Sequence, residues 1–350
     1  MTLGRAGARR PAGPSPTLAP VTTQLPGTAE RGAAAADHPD GRAPRAARGV
    51  YVANLVAQMG IVVTGAVVRL TGSGLGCPTW PRCTDDSLTP VANQPESWHK
   101  YVEFGNRLLT GVLIVLALAA LAAGLLDALW RRRRDGLPAR RALTWLAAVP
   151  LLGTFAQIPL GGVTVLTGLN PLAVGSHLLL SMGLIALTTV LVHRAGEPGD
   201  QPVAVVVRRE VRAGVMVLTA LFGAVLVIGM VVTASGPHAG DERTHRLGLD
   251  PQTVSWLHAD VVVLSLGLLA GLLVALRATS APPRVREAAS LLLVLVLAQG
   301  FVGYTQYFTG LPWALVAVHV LGATVVWWAA VRLLLTTRTR GLELPDAPAA

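Results

Sequence analysis

Charge is what this sequence has least of. Only 14% of its 350 residues are charged and 52% are hydrophobic, against about 25% charged in soluble domains. With a mean hydropathy of +0.54, an ordinary soluble domain is excluded and a bilayer is indicated. Cysteine is scarce too: Cys77 and Cys83 are the only two, so a single pairing is open to them. The first 48 residues lack apolar periodicity and are rich in Ala, Pro, Gly and Arg, which reads as a disordered cytoplasmic tail rather than a cleaved signal. The glycine-rich stretch 71–83 lacks both the strand-loop-helix setting and the lysine of a phosphate cradle, which excludes nucleotide binding there.

What is present is a series of apolar runs, at 49–70, 103–130, 142–164, 172–193, 213–234, 254–276, 287–306 and 313–335. Each is near the length that spans a hydrocarbon core of about 30 Å. The formal charge of +10 could suggest nucleic acid, but its distribution argues otherwise. Of 29 basic residues, only Arg69, Arg82, Lys100, Arg107, Arg243 and Arg246 fall on the side opposite the amino terminus or at the helix ends there. The positive-inside rule then expects both termini in the cytoplasm, and the basicity is topological. Cys77 and Cys83 fall in the first outer loop, an oxidising place, and are expected to pair.

The chain repeats itself. Ala156-Gln157 through Gly161 and Thr167-Gly168-Leu169 to His177 aligns without a gap onto Ala298-Gln299 through Gly303 and Thr309-Gly310-Leu311 to His319. A weaker echo links Thr71-Gly72-Ser73-Gly74 to Thr233-Ala234-Ser235-Gly236, and Asn106 to His258. Helices 1–4 therefore repeat as 5–8 in the same orientation, and the expected fold is an all-α membrane protein of eight transmembrane helices in two pseudo-symmetric four-helix bundles. The expected organisation is a tail over 1–48, a first bundle over 49–193, a cytoplasmic linker over 194–212, a second bundle over 213–335 and a cytoplasmic tail over 336–350.

His177, His258 and His319 each start a helix that begins on the outer face, within about 10 Å of that surface at 1.5 Å per residue. A single histidine so placed can simply donate a hydrogen bond across a helix interface. Two at one depth on the second and fourth helices of a bundle, His258 and His319, can instead clamp haem iron from both sides. The first half offers His177 but has Asn106, a poor iron ligand, where the second has His258. Glu103 lies on the same helix face as Asn106 and has no counterpart, since Ser255 aligns with it. It is either an acid or base or an interfacial glutamate paired with Arg107. His99, His193, His238 and His245 read as solvated loop or helix-end residues, with His238 near enough to a cofactor edge to stay unassigned.

The run Gly72-Ser73-Gly74-Leu75-Gly76-Cys77-Pro78-Thr79-Trp80-Pro81-Arg82-Cys83, with Glu103-Phe104-Gly105-Asn106-Arg107 and the three helix-start histidines, resembles the haem A synthases over residues 50–335. That resemblance implies an oxidoreductase of the cell membrane that oxidises the C8 methyl group of haem O to a formyl group, yielding haem A for cytochrome c oxidase assembly. It further implies haem b held by His258 and His319, substrate haem O facing His177, Glu103 as catalytic carboxylate, and haem sites towards the outer face. Many family members have histidine where this chain has Asn106, so His177 is expected to hold the substrate iron alone, with Asn106 at most a weak contact and His99 a poorer substitute. The synthase that supplies haem O, other cytochrome oxidase assembly factors and a second copy of the chain are the partners such an enzyme suggests, with lipid around it and no nucleic acid. The rival readings are a membrane cytochrome b that leaves both haems unaltered and a carrier built on parallel repeats. The lone glutamate in one half argues for an enzyme with one catalytic and one accessory site.

Overall fold

The protein is described here from a computed structural model that covers residues 42–133, 139–198, 202–242 and 244–340. Most of the tail expected over 1–48, and residues 341–350 of the tail expected over 336–350, lie outside the described residues. Those residues form α1 (Arg45–Leu70), α2 (His99–Arg133), α3 (Arg141–Leu166), α4 (Pro171–Ala195), β1 (Ala204–Val205), α5 (Arg209–Ser235), α6 (Pro251–Ala278), α7 (Pro283–Phe308), α8 (Trp313–Thr336) and β2 (Arg338–Thr339). All eight helices are long and apolar enough to cross a bilayer. The chain is an all-α, multi-pass membrane protein apart from the two-residue strands, which pair antiparallel with Ala204 opposite Thr339.

The helices outrun the apolar stretches that announce them, because hydropathy marks only the part that meets lipid while the backbone ladder continues until a cap stops it. α1 begins at Arg45, inside the stretch expected to be unstructured. There the Ala43 amide bonds the Ala195 carbonyl at 3.1 Å, and Ala43 and Ala47 are buried with Leu191 and Ala195. Proline opens α4, α6 and α7, where its missing N–H costs nothing. Asn170 caps α4 by accepting from the Leu172 amide at 2.9 Å, and Asp250 caps α6 through the Thr253 amide at 2.8 Å.

The repeated Thr-Gly-Leu segments fold alike. After α3, Gly168 and Leu169 take φ of 61° and 60°, and after α7, Gly310 and Leu311 take 78° and 60°. The Leu169 and Leu311 amides reach back to the carbonyls of Thr164 and Gln306, each at 2.8 Å. This left-handed two-residue turn fixes the entry of α4 and α8, and so the depth of His177 and His319. The weaker echo is not preserved in the backbone. Gly72 turns left-handed after α1, whereas Ala234 stands at its place and α5 runs on to Ser235, as an L-residue there favours.

α1 and α3 each pack against α2, α5 and α7 each pack against α6, and α4 joins α1 to α3 as α8 joins α5 to α7. α8 also packs on α1 and α4, and α4 on α5. The Trp327 indole N–H donates to the Met182 carbonyl at 2.8 Å, fastening α8 to α4. Among α5–α8 the buried apolar side chains form one cluster, from Val211 to Leu333. Among α1–α4 they divide into two, one around Tyr51 and Leu143 and one around Leu55 and Ile185.

Candidate functional site

A cavity of about 570 Å³ opens among α1–α4, with Met230 of α5 and Val320 of α8 completing its wall, well within the range of ligand pockets. Its wall is chiefly apolar, and Glu103, Asn106 and His177 all line it. The α1–α2 loop roofs it. Cys77 and Cys83 form the expected disulfide, both fully buried, and Trp80 of the same loop lies flat on α3. A Cβ at Gly162 would stand 2.6 Å from its ring, so only glycine admits that contact.

Glu103 is the pin of this roof. Its Oε2 accepts the Cys77 amide at 2.6 Å, while Oε1 pairs with Arg107 Nη2 at 2.5 Å, one turn along α2. Arg107 in turn donates to the carbonyls of Cys77 at 2.8 Å, Thr79 at 3.2 Å and Arg82 at 3.2 Å. Both readings of Glu103 therefore meet at one place: it pairs with Arg107, and it faces the cavity. Asn106 accepts from Thr64 Oγ1 at 2.7 Å through Oδ1.

Each histidine rests on a glycine of the helix before it. A Cβ at Gly161 would lie 3.4 Å from Cε1 of His177, one at Gly229 3.1 Å from Cε1 of His258, and one at Gly303 3.3 Å from Cε1 of His319. Asn106 has the same seat, with Nδ2 4.0 Å from a Cβ at Gly65. In the aligned segments the Gln157 amide donates to the His177 carbonyl at 3.0 Å and Gln299 to that of His319 at 2.8 Å. These glutamines hold the backbone and leave the rings free.

Nδ1 of His177, His258 and His319 is buried with no hydrogen-bond partner, although the Val225 carbonyl of α5 lies beside His258. Among the described residues the helix-to-helix donor reading finds no bond at Nδ1 of His177 or His319, whereas at His258 the neighbouring Val225 carbonyl of α5 supports it. His258 and His319 lie within electrostatic reach of one another, on helices separated by α5 and α7. Among the described residues no three His, Cys, Asp or Glu side chains gather to hold a bare metal ion. Single imidazoles with a nitrogen to spare fit iron that carries its own equatorial ligands, as in haem. The remaining histidines are engaged elsewhere. His99 Nδ1 meets Ser73 Oγ at 2.8 Å, His238 Nε2 meets the Leu311 carbonyl at 3.1 Å, and His193 pairs with Glu197 at 3.6 Å. His245, read from sequence as surface, lines the cavity mouth.

Thr64, Gly65 and Gly229 escape sequence reading because their roles arise from contacts across helices, while Trp80 stood in the run that carries the resemblance without its seat on Gly162 being readable. Gly161, Gly303, Gln157 and Gln299 stood inside the aligned repeat, and their joint recurrence with His177 and His319 was the available signal.

A family model described as cytochrome oxidase assembly protein matches residues 49–331. Among curated relatives, the Heme A synthase of Geobacillus kaustophilus (strain HTA426) is 36% identical over 110 residues, 31% of this chain and 30% of that protein. The Heme A synthase of Lysinibacillus sphaericus (strain C3-41) is 34% identical over 139 residues, covering 39% and 41%, and that of Bacillus licheniformis is 28% identical over 155, covering 43% and 47%. The aligned part thus spans less than half the length of each of these relatives.

Proposed function

This chain belongs to the cytochrome oxidase assembly protein family, and from that membership we propose that it is a haem A synthase, oxidising the C8 methyl group of haem O to a formyl group. The observation that carries this reading is that His177 and Glu103 open onto one apolar cavity whose roof Glu103 itself holds. Haem O is the substrate, and His177 is its iron ligand, with the Asn106 amide on the facing helix. The chemistry is two successive hydroxylations of the methyl group, each inserting one oxygen atom of dioxygen while the other leaves as water with two electrons and two protons supplied, followed by loss of water from the geminal diol.

Haem b is the resident cofactor, held by His258 and His319, and when bound it supplies electrons one at a time. The chain's own part is positional and acid–base. The glycine seats let each imidazole reach its place, and the glutamines fix the backbone behind two of them. The disulfide loop excludes water from the cavity under Trp80. Glu103 moves a proton at Oε1 or Oε2 when its partners on the loop release it, a role that requires hydrogen-bond reach of the reacting group. Two four-helix bundles with a common scaffold and different chemistry account for Glu103 in one half and Ser255 at the matching place in the other. The termini face the cytoplasm and the disulfide end faces outward, where haem O synthase, assembly factors or a second copy of the chain would meet it.

The test is expression in a host that makes haem O and no haem A, followed by extraction and chromatography of the haems. Haem A or its hydroxylated intermediate is expected. A folded, haem-loaded protein that yields neither would leave a membrane cytochrome b as the better account.

A further inference from the structure

Two guanidinium groups stand at the mouth of the cavity. Arg69 ends α1 and Arg246 sits in the loop before α6, and both line the cavity wall. They are close enough to feel each other's charge. The carboxylates of Glu103, paired with Arg107, and of Glu197, paired with His193 and Arg194, are engaged away from Arg69 and Arg246. Arg107, the third arginine on this wall, is spent on Glu103 and the loop carbonyls. Arg69 gives one N–H to the His238 carbonyl at 2.8 Å, out of five donors on its fork. Among the described residues Arg246 makes no side-chain hydrogen bond. Asp241 and Glu242 line a shallower groove of about 210 Å³ together with the same two arginines.

Like charges facing one another beside an apolar cavity are costly unless an anion joins them. The loop that brings Arg246 here is also built to stay. The Gly74 amide bonds the Gly240 carbonyl at 3.0 Å, and Gly240, at φ 102°, lies within 3 Å of Leu169 once a Cβ is added. Outer segments from both halves of the chain are therefore locked together over the α1–α4 cavity, with the two arginines at the seam.

We infer that Arg69 and Arg246 bind the two carboxylate arms of a porphyrin in this cavity and so set which edge of the macrocycle faces inward. The inference rests on the proposed porphyrin substrate and adds its orientation: the carboxylate edge lies at the mouth, the apolar edges lie inside among α1–α4, and the methyl group to be oxidised is selected by that placement. Guanidinium forks suit carboxylates because two parallel N–H···O bonds form at once. A lipid phosphate is the other source of a matching anion.

The experiment is an absorption titration of the purified full-length protein, haem b in place, with haem O and with haem O whose propionates are methyl esters. Wild-type protein is expected to bind the free acid at least tenfold more tightly than the diester, and Arg246→Gln to weaken the free acid while leaving the diester unchanged. Arg69→Gln should do the same. Because Arg69 also holds the His238 carbonyl, Arg246→Gln is the decisive variant should Arg69→Gln fold poorly. Arg69→Lys, which keeps charge without the fork, should recover only part of the preference. Equal binding of acid and diester by wild type, or variants that weaken both alike, would overturn the inference while leaving the substrate reading intact. So would phospholipid that copurifies with wild type and is lost from Arg246→Gln, with the acid-to-diester ratio unmoved. If neither haem form changes the spectrum in a manner abolished by His177→Ala, the proposed function fails instead.

Discussion

Gly303 of α7 lies directly beneath the imidazole of His319, so near that a Cβ there would stand 3.3 Å from Cε1. Three residues earlier on the same helix, Gly300 has open space around it. The two glycines are alike in sequence and opposite in consequence. Gly303→Val is expected to push the ring from its seat and abolish the low-spin haem spectrum, as His319→Ala would. Gly300→Ala should leave the spectrum intact and raise helix stability by about 0.5–1 kcal/mol, the usual cost of glycine in a helix interior. Absorption spectra of both variants decide the matter; equal spectra would deny the seat any role.

Glu103 has two duties that one substitution cannot separate. Glu103→Gln keeps an oxygen to accept the Cys77 amide while losing the exchangeable carboxylate proton. Glu103→Ala loses both. If proton movement is its main task, both variants should lower conversion of haem O by about 10²–10⁴-fold, with haem b retained in each. If holding the roof is its task, Gln should restore most of the rate. The ratio of the two rates, with haem O affinity measured alongside, distinguishes them.

The sequence made the eight crossings legible because hydropathy is a property of the chain alone. It also revealed the Gln157–His177 and Gln299–His319 repeat, which the structure turns into matched backbone bonds and matched left-handed turns. It did not reveal the seats at Gly65 and Gly229, since nothing in a single glycine says which side chain of another helix will lie on it. The strand pair Ala204–Val205 with Arg338–Thr339 was likewise invisible: two residues are too short for any period, and their partners are far apart in sequence. The six basic residues opposite the amino terminus were informative in a way that charge counting missed. Three of them, Arg69, Arg107 and Arg246, line the cavity.

At the end of α4 opposite the disulfide, Glu197 is buried beside Arg194 and His193. Burial alone would raise its carboxyl, but hydrogen bonds and charge from His193 and Arg194 outweigh it and bring the group from 4.5 down to about 2. A folded pKa below the unfolded value means stabilisation that is complete above about pH 4.5 and is lost as pH falls towards 2. Glu197→Gln should therefore lower the thermal midpoint near neutral pH and flatten the acid limb in that window. Parallel acid limbs in the two proteins would show that the carboxylate is not coupled to folding.

Beneath the cavity, one face of α1 carries Tyr51, Asn54 and Gln58, spaced three and four residues apart so that they stack along the helix. Tyr51 and Asn54 are wholly buried, and Gln58 nearly so. Among the described residues the Tyr51 hydroxyl, both polar atoms of Asn54 and the Gln58 amide nitrogen have no hydrogen-bond partner. Leaving a buried polar group unsatisfied costs about 1–3 kcal/mol, so four on one face are not tolerable as a dry column. Internal water typically takes about three such bonds, and the column offers that number within two helical turns. Asn54→Leu is then expected to expel the water, strand Tyr51 and Gln58, and lower the thermal midpoint. A dry column would respond in the opposite sense, because Leu would remove two unsatisfied atoms and gain apolar contact with Leu55 and Ile185 nearby. The sign of the shift in thermal unfolding, measured in the same detergent for both proteins, reports which holds, and a rise would sink the hydrated reading.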